Sequence, residues 1–263
     1  MNITVMTPEK RAAWLIEDND IKSAADLNLE LLANSEGIIS EEEDLKGHLG
    51  RISFCRNYGL IKTDIKIRET GRKRFTLAHE MGHYFNEREL RNNSFYKCTF
   101  ADIFSFKPPK EYENDANEFA AELLMHKPWF GKYISERKID LNLIKDIASE
   151  FNVSLTAAAI RYANIGKYPA AVIMSKNGKV EWSCINNYFP FKWIPKGYRV
   201  REESAAYDFF AGGEVQDCED LMPATVWFAG DYKSMKEVYL YEQNLVMKNY
   251  ESVLTLLRES EFC

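Results

Sequence analysis

The sequence predicts an α+β fold, and three observations predict it. Apolar residues recur at helical spacing in the first fifty positions, around 71–87, at 112–126 and at 140–166. Two short alternating runs, 51–55 and 61–68, read as strands of a small sheet. Beyond Gly166 the pattern turns β-like, with Asn177-Gly178 between two apolar runs. These patterns divide the chain into a mainly helical domain with a small sheet (1–130), a helix-turn-helix segment (131–167) and a C-terminal α+β module (168–263).

Taken in order, residues 8–36 read as helical with one break, their stripes formed by Ala12, Trp14 and Leu15 and then by Leu27, Leu29, Leu31 and Leu32. The acidic run Glu41-Glu42-Glu43-Asp44 reads as a solvated loop or helix start. Leu45 to Leu49 is expected to add a helical turn ended by Gly50. In RISFC (51–55), Ile52 and Phe54 alternate with Arg51 and Ser53, and IKTDIKIR (61–68) alternates again after a turn at Asn57-Tyr58-Gly59. A helix over 71–87 follows, with Thr70 or Gly71 as its cap. Arg88 to Lys110 shows no period and ends in a loop at Pro108-Pro109. Tyr112 to His126 predicts a strong helix, stopped by Pro128.

In residues 140–166, Leu143, Ile144, Ile147, Ala148 and Phe151 share one helix face. Val153 fills a tight turn, Ser154 caps a second helix, and Ala157, Ile160 and Tyr162 continue the core, which is helix-turn-helix spacing. The hairpin over 170–184 comes next, with further strands expected at TVWFAG (225–230), EVYLYEQ (237–243) and SVLTLL (252–257). The intervening 185–222 is rich in Pro and Gly and reads as loop. Trp182, Tyr188, Phe189, Phe191, Trp193, Trp227 and Phe228 either build an ordinary core or line a ligand pocket with a sensing role.

Composition narrows the function. The 263 residues are 46% hydrophobic and 28% charged, the profile of a soluble globular protein. A net charge of -6 gives no basic bias toward nucleic acid. The second helix of the helix-turn-helix carries one basic residue, Arg161, too little phosphate-neutralising charge for DNA binding. The five cysteines are scattered and form no C-x-x-C pair, which points to a reducing compartment. The N-terminus does not read as a signal peptide and no apolar run approaches membrane-spanning length, so a cytoplasmic location without a membrane partner is expected.

The stretch FTLAHEMGHYF (75–85) carries the chemistry. His79, Glu80 and His83 spell H-E-x-x-H. Four residues of helix turn the chain by about 400°, so the two imidazoles share a face one turn apart and both reach one zinc at about 2.0–2.1 Å. Glu80 projects about 100° around from His79, close to the metal without ligating it, where it can take a proton from water. A catalytic zinc normally keeps three protein ligands. His48 and His126 are poor candidates for the third: one lies in a charged segment, the other at a helix end as a cap or surface residue. The helix 112–126 offers Glu113, on the edge that meets the core, and Asp115 as the competing choice, while Glu118 and Glu122 read as solvated. Asn117, four residues after Glu113, is placed to hydrogen-bond a ligating histidine. Spacing alone thus yields metal-assisted hydrolysis.

The run RKRFTLAHEMGHYF, followed about thirty residues later by ENDANEFAAELLM, closely resembles the ImmA/IrrE family of metallo-endopeptidases. The family pattern ends in M-P, whereas here His126-Lys127 precede Pro128. With the preceding strands and the helix-turn-helix, the resemblance covers roughly residues 25–166. It implies a helical zincin-like peptidase core, zinc on His79, His83 and Glu113, and Glu80 as general base. It also implies a substrate class: helix-turn-helix transcriptional repressors, whose cleavage relieves repression in phage, mobile-element or stress responses. In some relatives a sensor-like domain follows, so a small-molecule or protein activating signal is a further expectation. The oxyanion donor is open among Tyr84, Tyr96 and Tyr112, and Asp64 and Arg74 read as surface or structural. The alternative function is a regulatory sensor or binding protein with a silent or latent zinc site.

Overall fold

The computed structural model describes residues 6–54, 58–87, 95–98, 111–215, 218–229 and 238–260. It is mixed α+β, as predicted: eight α-helices and two sheets among the described residues. The chain divides into two compact units, Met1–Tyr133 with Ile147–Ala157, and Ile134–Asp146 with Ala158–Cys263.

The first unit opens with α1 (Pro8–Asp18), capped at Thr7 and with Pro8 at its first position. Its face of Ala12, Leu15 and Ile16 is buried, and Arg11 donates to the Phe85 carbonyl. The expected break is a 3-10 turn, Ala24–Asp26, before α2 (Leu29–Ser35), where Asn28 Oδ1 accepts from Leu31 N at 3.0 Å. Gly37, at φ 74°, then turns the chain into β1 (Ile38–Glu43).

That strand corrects part of the reading of the acidic run: the four acids are solvated as expected, but Glu41, Glu42 and Glu43 are strand and only Asp44 lies beyond it. β1 pairs in parallel with β3 (Gly59–Asp64) and forms a sheet edge, in the order β1-β3-β2-β4. Ile38 anchors it in the core, and its acids reach neighbouring cations: Glu43 pairs with Lys62 and Arg51, and Glu42 with Lys73 at 2.6 Å. Charged edge strands resist further pairing, so acids and strand are compatible here. Leu45–Leu49 forms no helical turn, and Gly50 opens β2 (Gly50–Phe54) instead of ending a helix. β4 (Phe95–Cys98) lies in the segment read as aperiodic and pairs with β2.

α3 (Thr70–Glu87) lies over β2 and β3 and packs against α4 (Glu111–Leu124). α4 ends at Leu124, before Pro128, but Pro128 does not end helical structure. A new helix, α5 (Lys127–Tyr133), begins one residue before it, and proline is tolerated there because first-turn N–H groups have no intrahelical acceptor. α6 (Leu141–Glu150) and α7 (Leu155–Ile165) form the helix-turn-helix, with Val153 buried in the turn and Ser154 Oγ accepting from Ala157 N at 3.1 Å. The turn meets α3 directly. A Cβ built on Gly71 would lie 2.4 Å from the Val153 carbonyl carbon, so only glycine permits this approach. Arg161 is buried.

In the second unit β5 (Ala170–Lys176) and β6 (Lys179–Ile185) form the expected hairpin, with Asn177 and Gly178 both at positive φ. The sheet order is β6-β5-β9-β8-β7, antiparallel throughout, with β7 (Glu219–Pro223), β8 (Tyr239–Met247) and β9 (Ser252–Glu259). β7 and the short α8 (Ala205–Phe210) lie in the stretch read as loop. The described part of TVWFAG, 225–229, is not a strand: Ala224–Val226 is a 3-10 turn that drops Trp227 and Phe228 into the core. Phe189, Trp227 and Phe228 are therefore packing residues, Trp182 is buried as well, and Tyr188 and Trp193 are 71% exposed, so the aromatic set does not line one pocket.

Candidate metal centre

From Phe75 to Met81, α3 is buried at every position, because the sheet covers one side and α4 another. His79, Glu80 and His83 have no exposed surface. The helical spacing sets their rings edge to face, with centroids 4.7 Å apart. α4 brings Glu113 to the same place. Its approach depends on Gly82, whose added Cβ would lie 2.9 Å from Ala116 Cα.

The resulting triangle has edges of 3.1 Å between the two Nε2 atoms, 3.3 Å from His79 Nε2 to Glu113 Oε2, and 3.5 Å from His83 Nε2 to Glu113 Oε2. A tetrahedral zinc with ligands about 2.0–2.1 Å away separates neighbouring ligand atoms by roughly 3.3–3.4 Å. Two imidazoles and a carboxylate are a known zinc donor set, so the residues present fit the metal. Asp115 is not in the group.

The hydrogen bonding prepares the donors. Asn117 Oδ1 lies 2.9 Å from His79 Nδ1, the contact expected of it, and as an acceptor it keeps the proton on Nδ1 and the Nε2 lone pair inward. Burial holds the His79 imidazole below its usual pKa, with hydrogen bonding from Glu113 pulling the other way. Burial pushes the Glu113 carboxyl up, but hydrogen bonds and charge from His79 and His83 outweigh it and hold the group well below the ordinary carboxylate range. A lowered His79 pKa and an ionised Glu113 carboxylate both favour binding of a cation.

Glu80 lies against β2. A Cβ on Gly50 would come within 2.4 Å of Glu80 Oε1 and 2.8 Å of Thr76 Cγ2. Sequence reasoning missed Gly50, since its partner is thirty positions away and only the fold joins them. It also missed Gly82, for which the signal was present as the glycine inside H-E-x-G-H. Of the three tyrosines, Tyr112 has its ring centroid 6.2 Å from that of His83. Tyr84 is buried against Phe54, its hydroxyl donating to the Glu36 carbonyl, and the Tyr96 side chain lies outside the described residues. Asp64 is buried at the end of β3, accepting from Lys66 N, and neither it nor Arg74 belongs to the metal group. Glu122 and His126 correct the surface readings given to both: they are buried and paired, Oε1 to Nδ1, at 2.7 Å.

A peptidase family profile described as the IrrE N-terminal-like domain matches residues 68–162. This segment is similar to the IrrE N-terminal-like domain. The IrrE-like domain runs from just before α3 into α7 and contains the whole candidate triad, which fits a metallopeptidase-type regulatory role. The match begins later than the resemblance read from roughly residue 25, after the first three strands. A solved structure of a Mycobacterium tuberculosis transcriptional regulator aligns over 96% of this chain and 76% of its own, with a TM-score of 0.60 and 12% identity. At that identity the likeness concerns the fold. Curated proteins give no significant match. Among the described residues, no helix is long and apolar enough to cross a membrane.

Proposed function

We propose that the chain is a zinc-dependent endopeptidase that cleaves a helix-turn-helix transcriptional repressor. The observation that carries the reading is the convergence of His79, His83 and Glu113, at tetrahedral spacing, on the helix that also carries buried Glu80. The repressor as substrate rests on the IrrE-like domain and on the likeness to a transcriptional regulator's fold.

A zinc held by His79, His83 and Glu113 would supply Lewis-acid polarisation of the scissile carbonyl and acidify the attacking water. Glu80 takes the proton of that water and delivers it to the leaving amine. Asn117 holds the His79 tautomer. Tyr112, whose ring centroid lies 6.2 Å from that of His83, is the candidate for donating to the carbonyl oxygen as it gains charge.

A regulatory binding protein with a latent site is the second reading, favoured by the complete burial of His79, Glu80 and His83. One experiment separates the two. The purified protein is incubated with zinc and the repressor encoded nearest its gene, beside a Glu80→Gln variant, and fragments are sought by mass spectrometry. Metal-dependent fragments lost in the variant support the peptidase, whereas binding without cleavage by the wild type supports the latent site. Zinc content measured on Glu113→Ala and Asp115→Ala tests the ligand set: the first is expected to lose the metal and the second to keep it, and the reverse result moves the third ligand.

A further inference from the structure

The second unit holds a groove of about 690 Å³ between the tip of the β5–β6 hairpin and α8. Its volume is in the range that takes a small ligand. The wall is aromatic: Tyr207, Phe209 and Phe210 line it, all partly buried, and the two phenylalanine rings meet at 5.2 Å. The hairpin tip meets this wall, since a Cβ on Gly178 would lie 3.9 Å from Phe210 Cβ. The rim is cationic, with Lys179 and Arg199 both exposed.

The placing of those cations is unusual. Lys179 pairs with Lys176 across the hairpin and with Arg199 across an isolated antiparallel bridge. Three like charges thus stand opposite one another across the hairpin and the bridge, an arrangement that costs stability. Among the described residues none of the three has an ion-pair partner. Glu251, also on the rim, is the one acid among the described residues that line the groove, and it pairs with neither.

We propose that this groove binds a small anionic ligand carrying a planar ring, with a nucleoside monophosphate as its representative. The anion would meet Lys179 and Arg199, relieving their repulsion, and the ring would lie on the Tyr207, Phe209 and Phe210 wall. Glu251 would accept from an amino or hydroxyl group of the ligand. The site is separate from the metal centre and does not depend on the peptidase reading.

The test uses the full chain and titration calorimetry with the monophosphates of adenosine, guanosine, cytidine and uridine. Adenosine and ribose phosphate serve as the ring-only and anion-only controls. At least one monophosphate is expected to bind in a saturable, one-to-one manner, and more tightly than either control. Lys179→Gln and Arg199→Gln are each expected to weaken it by about tenfold or more, and Phe210→Ala to weaken it through the ring. Melting in the absence of ligand gives a second readout: Lys179→Gln should match or exceed the wild type in Tm, because a repulsion is removed, yet lose the ligand-induced rise. Absence of saturable binding by all four monophosphates at millimolar concentration overturns the proposal, as does binding that survives the Lys179→Gln and Arg199→Gln pair together.

Discussion

At the scale of single residues, the candidate metal centre depends on groups outside the ligand triad. Asn117 fixes the proton of His79 through one contact of 2.9 Å. Asn117→Ala is expected to lower zinc affinity about 10–100-fold while leaving the fold intact. Competition with a chelating dye measures this, and unchanged affinity would remove Asn117 from the site. Gly50 acts on Glu80 by leaving it room. Gly50→Ala is expected to cost about 1–3 kcal/mol by overpacking and to displace the carboxylate, so that melting temperature and turnover fall while zinc content stays. A variant with normal turnover would show that Glu80 has slack. His79, Glu80 and His83 were legible in the sequence because a helix converts their spacing directly into geometry. Glu113 and Asp115 both sit near the edge of the same helix and both stayed open as the third ligand; what distinguishes them is that only the Glu113 carboxylate groups with the two imidazoles among the described residues.

At the scale of elements, close approach of backbones sets the positions. α4 delivers Glu113 because Gly82 lets the two helices come within what a side chain would forbid. Gly82→Ala is expected to cost about 1–3 kcal/mol and, by pushing Ala116 away, to weaken metal binding as well as melting. A lowered Tm with zinc affinity preserved would show that the helices can separate without moving Glu113. Long periodic elements could be read from the sequence: α3, α4, the α6–α7 pair and the Asn177-Gly178 hairpin each repeat their signal over several turns or residues. β1 could not, because three of its six residues are acids whose strand state is supported by Lys62, Arg51 and Lys73 from elsewhere. TVWFAG has strand composition, yet burial of Trp227 and Phe228 is achieved by a turn. α8 is too short, at six residues, to show a period.

At the scale of the whole molecule, the second unit keeps one carboxylate in its interior among the described residues. Glu242 has no exposed surface and accepts from Ser204 Oγ at 2.8 Å, Trp227 Nε1 at 2.6 Å and Asn244 Nδ2 at 2.6 Å, all neutral donors. Burial pushes its pKa above the ordinary value, and the hydrogen bonds from Asn244, Trp227 and Ser204 pull part of the way back. A carboxyl raised in the folded state binds its proton there while the unfolded chain has released it, so its contribution to stability is full at low pH and is lost as pH rises through the raised value. The difference in Tm between Glu242→Gln and the wild type should therefore move in favour of the variant from about pH 4 to about pH 8. Melting followed by circular dichroism checks it, and a difference that is flat with pH would mean that the donors hold the group at its ordinary value.

The division of the chain at Tyr133, Asp146 and Ala157 has a practical side. The polypeptide passes from one unit to the other and back before it settles in the second, and the eleven residues lent to the first unit, Ile147–Ala157, include the turn that rests on Gly71. A single scission anywhere in the chain therefore cannot release both units whole. A shortened gene that stops after Tyr133 would encode α3 without the strut under its first turn, and with it a histidine pair carried on a helix whose beginning has lost its support.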